Sequence, residues 1–528
     1  MDIDHTAAQL IKHIYKVSRE APSILQAEMC NICEQFKHQP NVIEKLGTQF
    51  YRLSNYNYAF YCFEYLIKQN PRHFSAYNNL GLVLNRFGLG HQAAEAYRRA
   101  LAIKPDFHPS RSNLAYVLHY FGETGREEIL EAHKDVAKYA FPNSKDFIKN
   151  KVFDLSQNRK LRLGYLSGDF REHAVGHFIQ GILTKHDREQ FDIHIFDTRN
   201  EINDPTTEKL RGLELKWHNI KGLVTQAACS KIASKKIDIL IDLAGHTAGG
   251  RVDVFGNRVA PVQLTYLGYP NTSGLPTMDF RIGDNFADLE RFEIQNTEHM
   301  LRMPYALWNY QPWNTMPEST GDSSCEKNGY VTFGSANNHA KLQPEWLEQW
   351  AKVIQQVPNS RLVLKSKSMQ NAQVVKNVLA IFAKQGVDNS RLELSHFSPT
   401  REAHWHEVSR FDIALDSFPY NGTTTTCDLL YLGVPVVTRA GNSHVSRTSG
   451  SILHTLGLYD WIAYSDDEFV ALCVKKAKDL TALIELKASL KNKMLSSSLM
   501  DSDLFVSDYE KILRKAWRIH CEKEPNPD

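Results

Sequence analysis

Between Asn421 and Asp428 the chain reads Asn-Gly-Thr-Thr-Thr-Thr-Cys-Asp, directly after the apolar run Asp412-Ile-Ala-Leu-Asp-Ser-Phe-Pro-Tyr420. A strand, a glycine-bearing turn, clustered hydroxyls and then the helical pattern Leu429, Leu430, Leu432 form a build suited to phosphate. The first turn of a helix has unpaired N–H groups and a partial positive charge, so an anion settles there. The threonine hydroxyls add donors, and Asp428, about a turn inside, is an acceptor for a sugar hydroxyl. A threonine cluster also serves simply as a helix cap, so its surroundings must decide.

Four other stretches carry chemistry. Gly334-Ser-Ala-Asn-Asn338-His-Ala-Lys341 follows a strand-like run; small residues let the backbone approach a ligand, and Lys341 could reach a diphosphate as a point charge. Read alone, Lys341 is equally a solvated loop lysine. In Arg401-Glu-Ala-His404-Trp-His406 the imidazole of His404 could stack on a nucleobase and Arg401 could meet a base carbonyl, although a lone histidine is more often structural. Ser167-Gly-Asp169-Phe-Arg-Glu-His173-Ala-Val-Gly-His177 and Asp242-Leu-Ala-Gly-His246-Thr-Ala-Gly-Gly250 each follow a strand. Two carboxylate and imidazole sets suit acceptor handling and proton transfer, and the same spacing also builds a His–Asp scaffold. No third ligand at metal-binding spacing accompanies them.

The elements that must hold these residues fall into three regions. Leu46, Leu80 and Leu114 are 34 residues apart, as are Gly47, Gly81 and Ala115, Ala59 and Ala93, Phe63 and Tyr97, Pro71 and Pro105, and Phe87-Gly88 and Phe121-Gly122. That period predicts stacked helix pairs of the tetratricopeptide kind over residues 1–150, with two good copies and flanking helices. Beyond about residue 155, the short apolar runs 161–166, 191–196, 237–242, 262–267 and 280–282 alternate with helix-length segments, which implies a largely parallel sheet over 155–310. Residues 311–328 read as a polar linker, and a second set of runs at 330–333, 361–364, 392–394, 413–415 and 434–438 predicts a second such domain over 325–520, helical from 466. Two doubly wound domains face a cleft, with ligands outside the carboxyl ends of the strands. Neither has a GxGxxG turn after its first strand, and no GxxxxGK[ST] loop occurs, which disfavours dinucleotide oxidoreductases and nucleoside-triphosphate hydrolases.

Composition sets outer bounds. With 62 basic and 60 acidic residues in 528, no global field argues for nucleic acid. No apolar run approaches the roughly 20 residues that span a bilayer, and Met1-Asp-Ile-Asp-His-Thr6 lacks the layout of a secretory signal. Eight scattered cysteines suit reduced thiols in a cytoplasm. Cys30-Asn-Ile-Cys33 has no second pair and lies in a helical stretch.

Five ordered stretches then resemble one family: Leu163–His173, Ala260–Leu275, Val331–Lys341, Val357–Lys365 and Leu415–Asp428. With the repeats ahead of them, the chain resembles the protein O-GlcNAc transferases and the related Spindly-like glycosyltransferases over residues 45–120 and 160–520. The resemblance implies a tetratricopeptide solenoid followed by a GT-B region, two Rossmann-like halves with the acceptor side first and the nucleotide-sugar side second. It implies an inverting, metal-independent transferase that moves a sugar onto Ser or Thr of a protein, with a nucleotide sugar as co-substrate and no cofactor. Lys341 would hold the donor diphosphate with Asn338 beside it, His404 would stack on the base with Arg401 near, and Thr423, Thr424 and Thr425 would bind phosphate. Asp428 would take ribose hydroxyls and His173 would lie at the reaction centre; Asp242 and His246 are added to the catalytic set from their position. Arg401 and Asp428 look like the UDP-GlcNAc branch, which is the favoured donor, whereas Phe418–Cys427 and Gly268–Thr277 look like the Spindly-like branch, whose plant members use GDP-fucose. The short repeat array points to a dedicated protein acceptor and leaves room for a homo-oligomer. The non-enzyme alternative is a tetratricopeptide adaptor with a ligand-binding catalytic-like region.

Overall fold

A computed structural model describes residues 3–20, 24–121, 125–199, 204–247, 249–317, 324–396 and 398–523. The N-terminal Met1-Asp2, the repeat match at Gly122, Ala248 of the glycine-rich stretch and residues 318–323 of the linker lie outside the described residues. The chain forms two compact units. One comprises residues 1–124, 337–351 and 364–397, and the other 125–336, 352–363 and 398–528.

The first unit begins with helices α1 (Ile3–Glu20), α2 (Leu25–Gln35), α3 (Pro40–Arg52), α4 (Tyr56–Gln69), α5 (Phe74–Arg86), α6 (Gly90–Ile103) and α7 (His108–Val117). The 34-residue step repeats one crossing. A Cβ on Gly47 of α3 would lie 2.7 Å from the Phe63 ring of α4, and one on Gly81 of α5 would lie 2.5 Å from the Tyr97 ring of α6. Each pair thus needs a hydrogen where the aromatic ring rests. Ala59 and Ala93 are fully buried one repeat apart, and Pro71 and Pro105 stand just past the ends of α4 and α6, where proline cannot continue a helix. Ile14, Met29, Ile32 and Cys33 bring α1 and α2 into the same core. Gly81→Ala is therefore expected to destabilise this unit by up to about 2 kcal/mol: alanine gains about 1 kcal/mol in helix propensity, but overpacking costs about 1–3 kcal/mol. A lowered urea midpoint for the helical signal is the check.

The second unit holds a seven-stranded sheet: β1 (Leu161–Ser167), β2 (Phe191–Asp197), β3 (Lys216–Asn219), β4 (Ile239–Asp242), β5 (Val262–Thr265), β6 (Phe280–Asp284) and β7 (His299–Met303). The order is β3-β2-β1-β4-β5-β6-β7, with every pairing parallel. A six-stranded sheet follows: β8 (Thr332–Ser335), β9 (Arg361–Lys365), β10 (Leu392–Ser395), β11 (Ile413–Leu415), β12 (Val436–Arg439) and β13 (Ile462–Ala463), in the order β10-β9-β8-β11-β12-β13. Helical repeats and then two doubly wound parallel sheets are the architecture the sequence implied. Every residue of β4 and β5 is buried, as helix-covered parallel strands require. β3, β7 and β13 escaped the sequence reading: β3 is a polar edge strand, Lys-Trp-His-Asn, β7 is the other edge strand, His-Met-Leu-Arg-Met, with polar residues breaking its apolar run, and β13 has two residues.

Each sheet reverses its winding beside its first strand. β1 pairs with β4, Leu166 opposite Asp242, so the segments bearing His173 and His246 leave adjacent strands. β8 pairs with β11, Gly334 opposite Ala414; β11 leads to the threonine cluster, and β8 leads to Asn338 and Lys341, which belong to the first unit. Two further elements matter. The linker reading of 311–328 is corrected in its described parts: residues 324–328 are helical, Cys325 is buried, and the indole of Trp405 donates to Thr315 at 3.0 Å. The last helix, Ser502–Lys523, returns to the first sheet, where Glu510 accepts from His186 at 2.8 Å and Tyr509 packs by Tyr165.

Candidate functional site

The threonine cluster begins at a turn that is tied from below. Asp416, 1% exposed, accepts from the amides of Ser417 (2.9 Å) and Gly422 (2.8 Å) and from the Thr438 hydroxyl (2.7 Å). Thr448 and Ser449 both donate to the Gly422 carbonyl at 2.9 Å. The helix Thr424–Tyr431 starts from that fixed point, and its N-cap Thr423 makes no side-chain capping bond. The four hydroxyls then divide. Thr426 is buried against the Ser449 hydroxyl at 2.8 Å, whereas Thr423, Thr424 and Thr425 stay partly exposed.

Asp428, one turn on, is 9% exposed. Its Oδ1 accepts from the Tyr310 hydroxyl at 2.8 Å and from the Trp313 indole at 3.2 Å. Burial pushes its carboxyl up to about 7, against the hydrogen bonds from Tyr310 and Trp313 and the charge of Arg401. Trp313 is covered by two side chains, the Arg401 guanidinium 3.9 Å from its ring centre and the His177 ring at 3.5 Å. Such an indole fixes its neighbours and is not a bare platform for a base. Arg401 also pairs with Glu172 at 3.0 Å. Burial and then Arg401 bring His177 down to about 4, which keeps it neutral beside that cation. His404, partly exposed on the helix Arg401–Ser409, stands edge-on to Trp405 at 4.8 Å.

On the first sheet His173 caps the helix Ala174–Lys185, its Nδ1 accepting from Val175 N–H at 3.3 Å. A neutral His173 therefore carries its proton on Nε2. Burial lowers its pKa; Asp169 at 3.7 Å opposes this, and Arg171 and Arg199, both paired to Asp169, reinforce it. Asp242 is 2% exposed, with its carboxylate turned onto the amides of Ala244 (2.9 Å) and Gly245 (3.0 Å); burial pushes it up to about 6. His246 donates through Nε2 to the Ser273 carbonyl at 2.8 Å and packs against Tyr269. Asn338 and Lys341 lie in the first unit on one tight turn. Asn338 caps it by accepting from Ala340 N–H at 3.2 Å, and the Lys341 amide donates to the Asn338 carbonyl at 2.9 Å.

The second unit thus brings Asp428, Arg401 and His404 into one neighbourhood, with His173 next in the chain to Glu172, the partner of Arg401. Tyr310, Trp313 and Glu172 were missed by the sequence reading. The signal was there in Trp308-Asn-Tyr310-Gln-Pro-Trp313, an aromatic run that leads into the stretch read as a linker. Among the described residues, no three His, Cys, Asp or Glu side chains are grouped to hold a metal ion, and no helix is long and apolar enough to cross a membrane.

The model of glycosyl transferase family 41 matches residues 103–318 and 322–509. The probable UDP-N-acetylglucosamine–peptide N-acetylglucosaminyltransferase SPINDLY of Petunia hybrida is 36% identical over 433 residues, 80% of this chain and 45% of that protein. The probable enzyme of the same description named SEC from Arabidopsis thaliana is 26% identical over 69% of this chain and 38% of its own length. The chain spans about half the length of the curated relatives it matches. A solved structure of a Thermobaculum terrenum O-GlcNAc transferase mutant superimposes with a TM-score of 0.88 at 27% identity, covering 99% of both chains.

Proposed function

This chain belongs to glycosyl transferase family 41, and from that membership we propose that it moves GlcNAc from UDP-GlcNAc onto Ser or Thr hydroxyls of a protein, with inversion and without a metal. The observation that carries the reading is the head of the helix Thr424–Tyr431, where three threonines are partly exposed and a buried Asp428 stands one turn on. In this reading Thr423, Thr424 and Thr425 hold the diphosphate with the helix-terminal amides, Lys341 neutralises it, and Asn338 supports Lys341. His404 stacks on the base, Arg401 lies beside it, and Asp428 accepts ribose hydroxyls. Residues 155–310 serve as the acceptor half, 325–520 as the nucleotide half, and the helical repeats of 1–150 meet the protein acceptor. Eight free thiols suit a reducing cytoplasm.

Chemically, the acceptor oxygen attacks the anomeric carbon as the bond to the diphosphate breaks on the opposite face. The acceptor proton leaves late, and a phosphate oxygen of the donor receives it. His173, with Nδ1 occupied by Val175, offers an N–H at Nε2 and orients a hydroxyl at the reaction centre. Asp242 holds the turn that presents His246, which lines the acceptor side.

Purified protein incubated with UDP-GlcNAc and GDP-fucose, with and without cell lysate, tests the reading. Release of UDP together with a GlcNAc mass shift on a protein supports it; release of GDP alone moves the donor to fucose, and no release with any donor sinks the enzyme. A pH effect follows from Asp428. Its ionised form accepts the diol, so UDP affinity is expected to rise as pH climbs through about 7. Tyr310 lowers the pKa of Asp428, so Tyr310→Phe moves the midpoint upward. Calorimetric UDP titrations between pH 5.5 and 8.5 provide the check.

A further inference from the structure

The turn that carries Lys341 rests on the helical repeats. His339, 4% exposed, packs its ring on Gly88, where a Cβ would lie 2.8 Å from Nε2. Gly88 has φ of +75° in the turn between α5 and α6, so that position is closed to other residues both by its backbone and by the imidazole. The ring also hydrogen-bonds the Phe87 backbone. Gln343 repeats the arrangement one step on: its Nε2 donates to the Ala340 carbonyl at 2.9 Å, and its side chain lies 3.1 Å from where a Cβ on Gly90 would be. From the other side the His339 amide donates to Ser366 Oγ at 3.2 Å, Ser368 Oγ donates to the Arg86 carbonyl at 2.7 Å, and Asn371 Nδ2 donates to Asn57 Oδ1 at 2.6 Å.

We infer that the repeat turn Phe87–Gly90 is a structural part of the donor site and that His339 is a positioning residue, setting Lys341 through its contact with Phe87 and Gly88. This rests on the reading of Lys341 as the diphosphate ligand. A lysine acting as a point charge is only as good as its placement, and misplacement by about 1 Å can cost on the order of a hundredfold in rate. Lys341 is two residues from the clamped imidazole on the same single turn. The repeats accordingly act on the nucleotide end of the reaction, an effect that acceptor recognition does not supply.

The test uses the full chain and a readout without any protein acceptor: UDP binding by calorimetry and UDP release from UDP-GlcNAc by hydrolysis, followed by transfer kinetics. His339→Leu is expected to weaken UDP binding at least fivefold and to lower kcat at least tenfold with the acceptor KM unchanged. His339→Gln, whose amide can still donate to the Phe87 carbonyl, is expected to recover most of the loss. Unchanged UDP affinity and kcat in a folded His339→Leu protein overturns the inference, and so does a lowered Tm with wild-type UDP affinity. If His339→Leu does not fold, Ser368→Ala takes its place, with at least a threefold weaker UDP affinity expected and no change overturning the proposal. Lys341→Ala runs in parallel. If it is inactive while the His339 and Ser368 variants bind UDP normally, only this inference falls; if it turns over normally, the donor-site reading itself has failed.

Discussion

Lys341→Ala is expected to abolish sugar transfer, by a factor of about a hundred to a thousand or more, in a protein that keeps its fold. In the proposed reaction the developing charge sits on the departing diphosphate, and a placed cation there acts on the transition state more than on the bound donor. Removing one such donor group typically costs about 2.7–4 kcal/mol of activation free energy. Lys341 is partly exposed at the end of a tight turn, so truncating it leaves no buried cavity. Lys341→Arg is expected to recover little, because a planar fork does not present charge at the position of a compact ammonium. Nucleotide release and far-UV circular dichroism together decide the matter; wild-type turnover in the alanine variant would falsify the diphosphate role.

Asp288→Ala is expected to cost about 3–5 kcal/mol of stability, the range for removing one member of a buried charge cluster. Asp288 is 2% exposed between Arg281 at 2.8 Å and His444 at 2.9 Å, and so joins the end of β6 to the segment after β12. Gly283 makes room for it, since a Cβ there would lie 2.1 Å from the carboxylate. Burial alone would push the Asp288 carboxyl up, but the charges of His444 and Arg281 outweigh it and hold it well below the usual aspartate range. A carboxyl depressed on folding stabilises fully above its unfolded pKa of about 3.9, and that contribution is lost as pH falls through the folded value. Wild-type protein should therefore lose this part of its stability only in acid below about pH 4, and the alanine variant should show a shallower acid limb. Guanidinium midpoints at neutral pH and at about pH 3 measure both effects, and equal midpoints for the two proteins would sink the assignment.

Periodicity made most of the framework legible. The step from Gly47–Phe63 to Gly81–Tyr97 is a packing solution written twice, so the 34-residue period alone was enough to announce the helix pairs. Runs such as Leu161–Leu166 and Ile237–Asp242 announced strands buried on both faces, whereas β3 had no apolar pattern to announce. The site was legible wherever chemistry is concentrated in consecutive residues, as in the threonine cluster. It was illegible wherever a group is defined by what crosses over to it. Asp428 stands apart from Tyr310 and Trp313 by 118 and 115 residues, and Arg401 meets Glu172 from the other sheet. Likewise, nothing in the motif around Lys341 announces that its neighbour His339 lies on a turn of the repeats. Spacing rules describe one element at a time, and these contacts belong to pairs.

The last helix carries a consequence for how the protein is made. Tyr165 in the opening strand of the first sheet is buried with Tyr509, 344 residues later. A ribosome adds roughly 5–20 residues per second, so the opening strand of the first sheet is made more than a quarter of a minute before its partner Tyr509 exists. During that interval Tyr165, Tyr266 and His186 lack a partner they have in the finished molecule. Consolidation of the first sheet must therefore wait for a helix 344 residues downstream of its opening strand, and the nascent chain carries an incompletely covered apolar surface while that stretch is made.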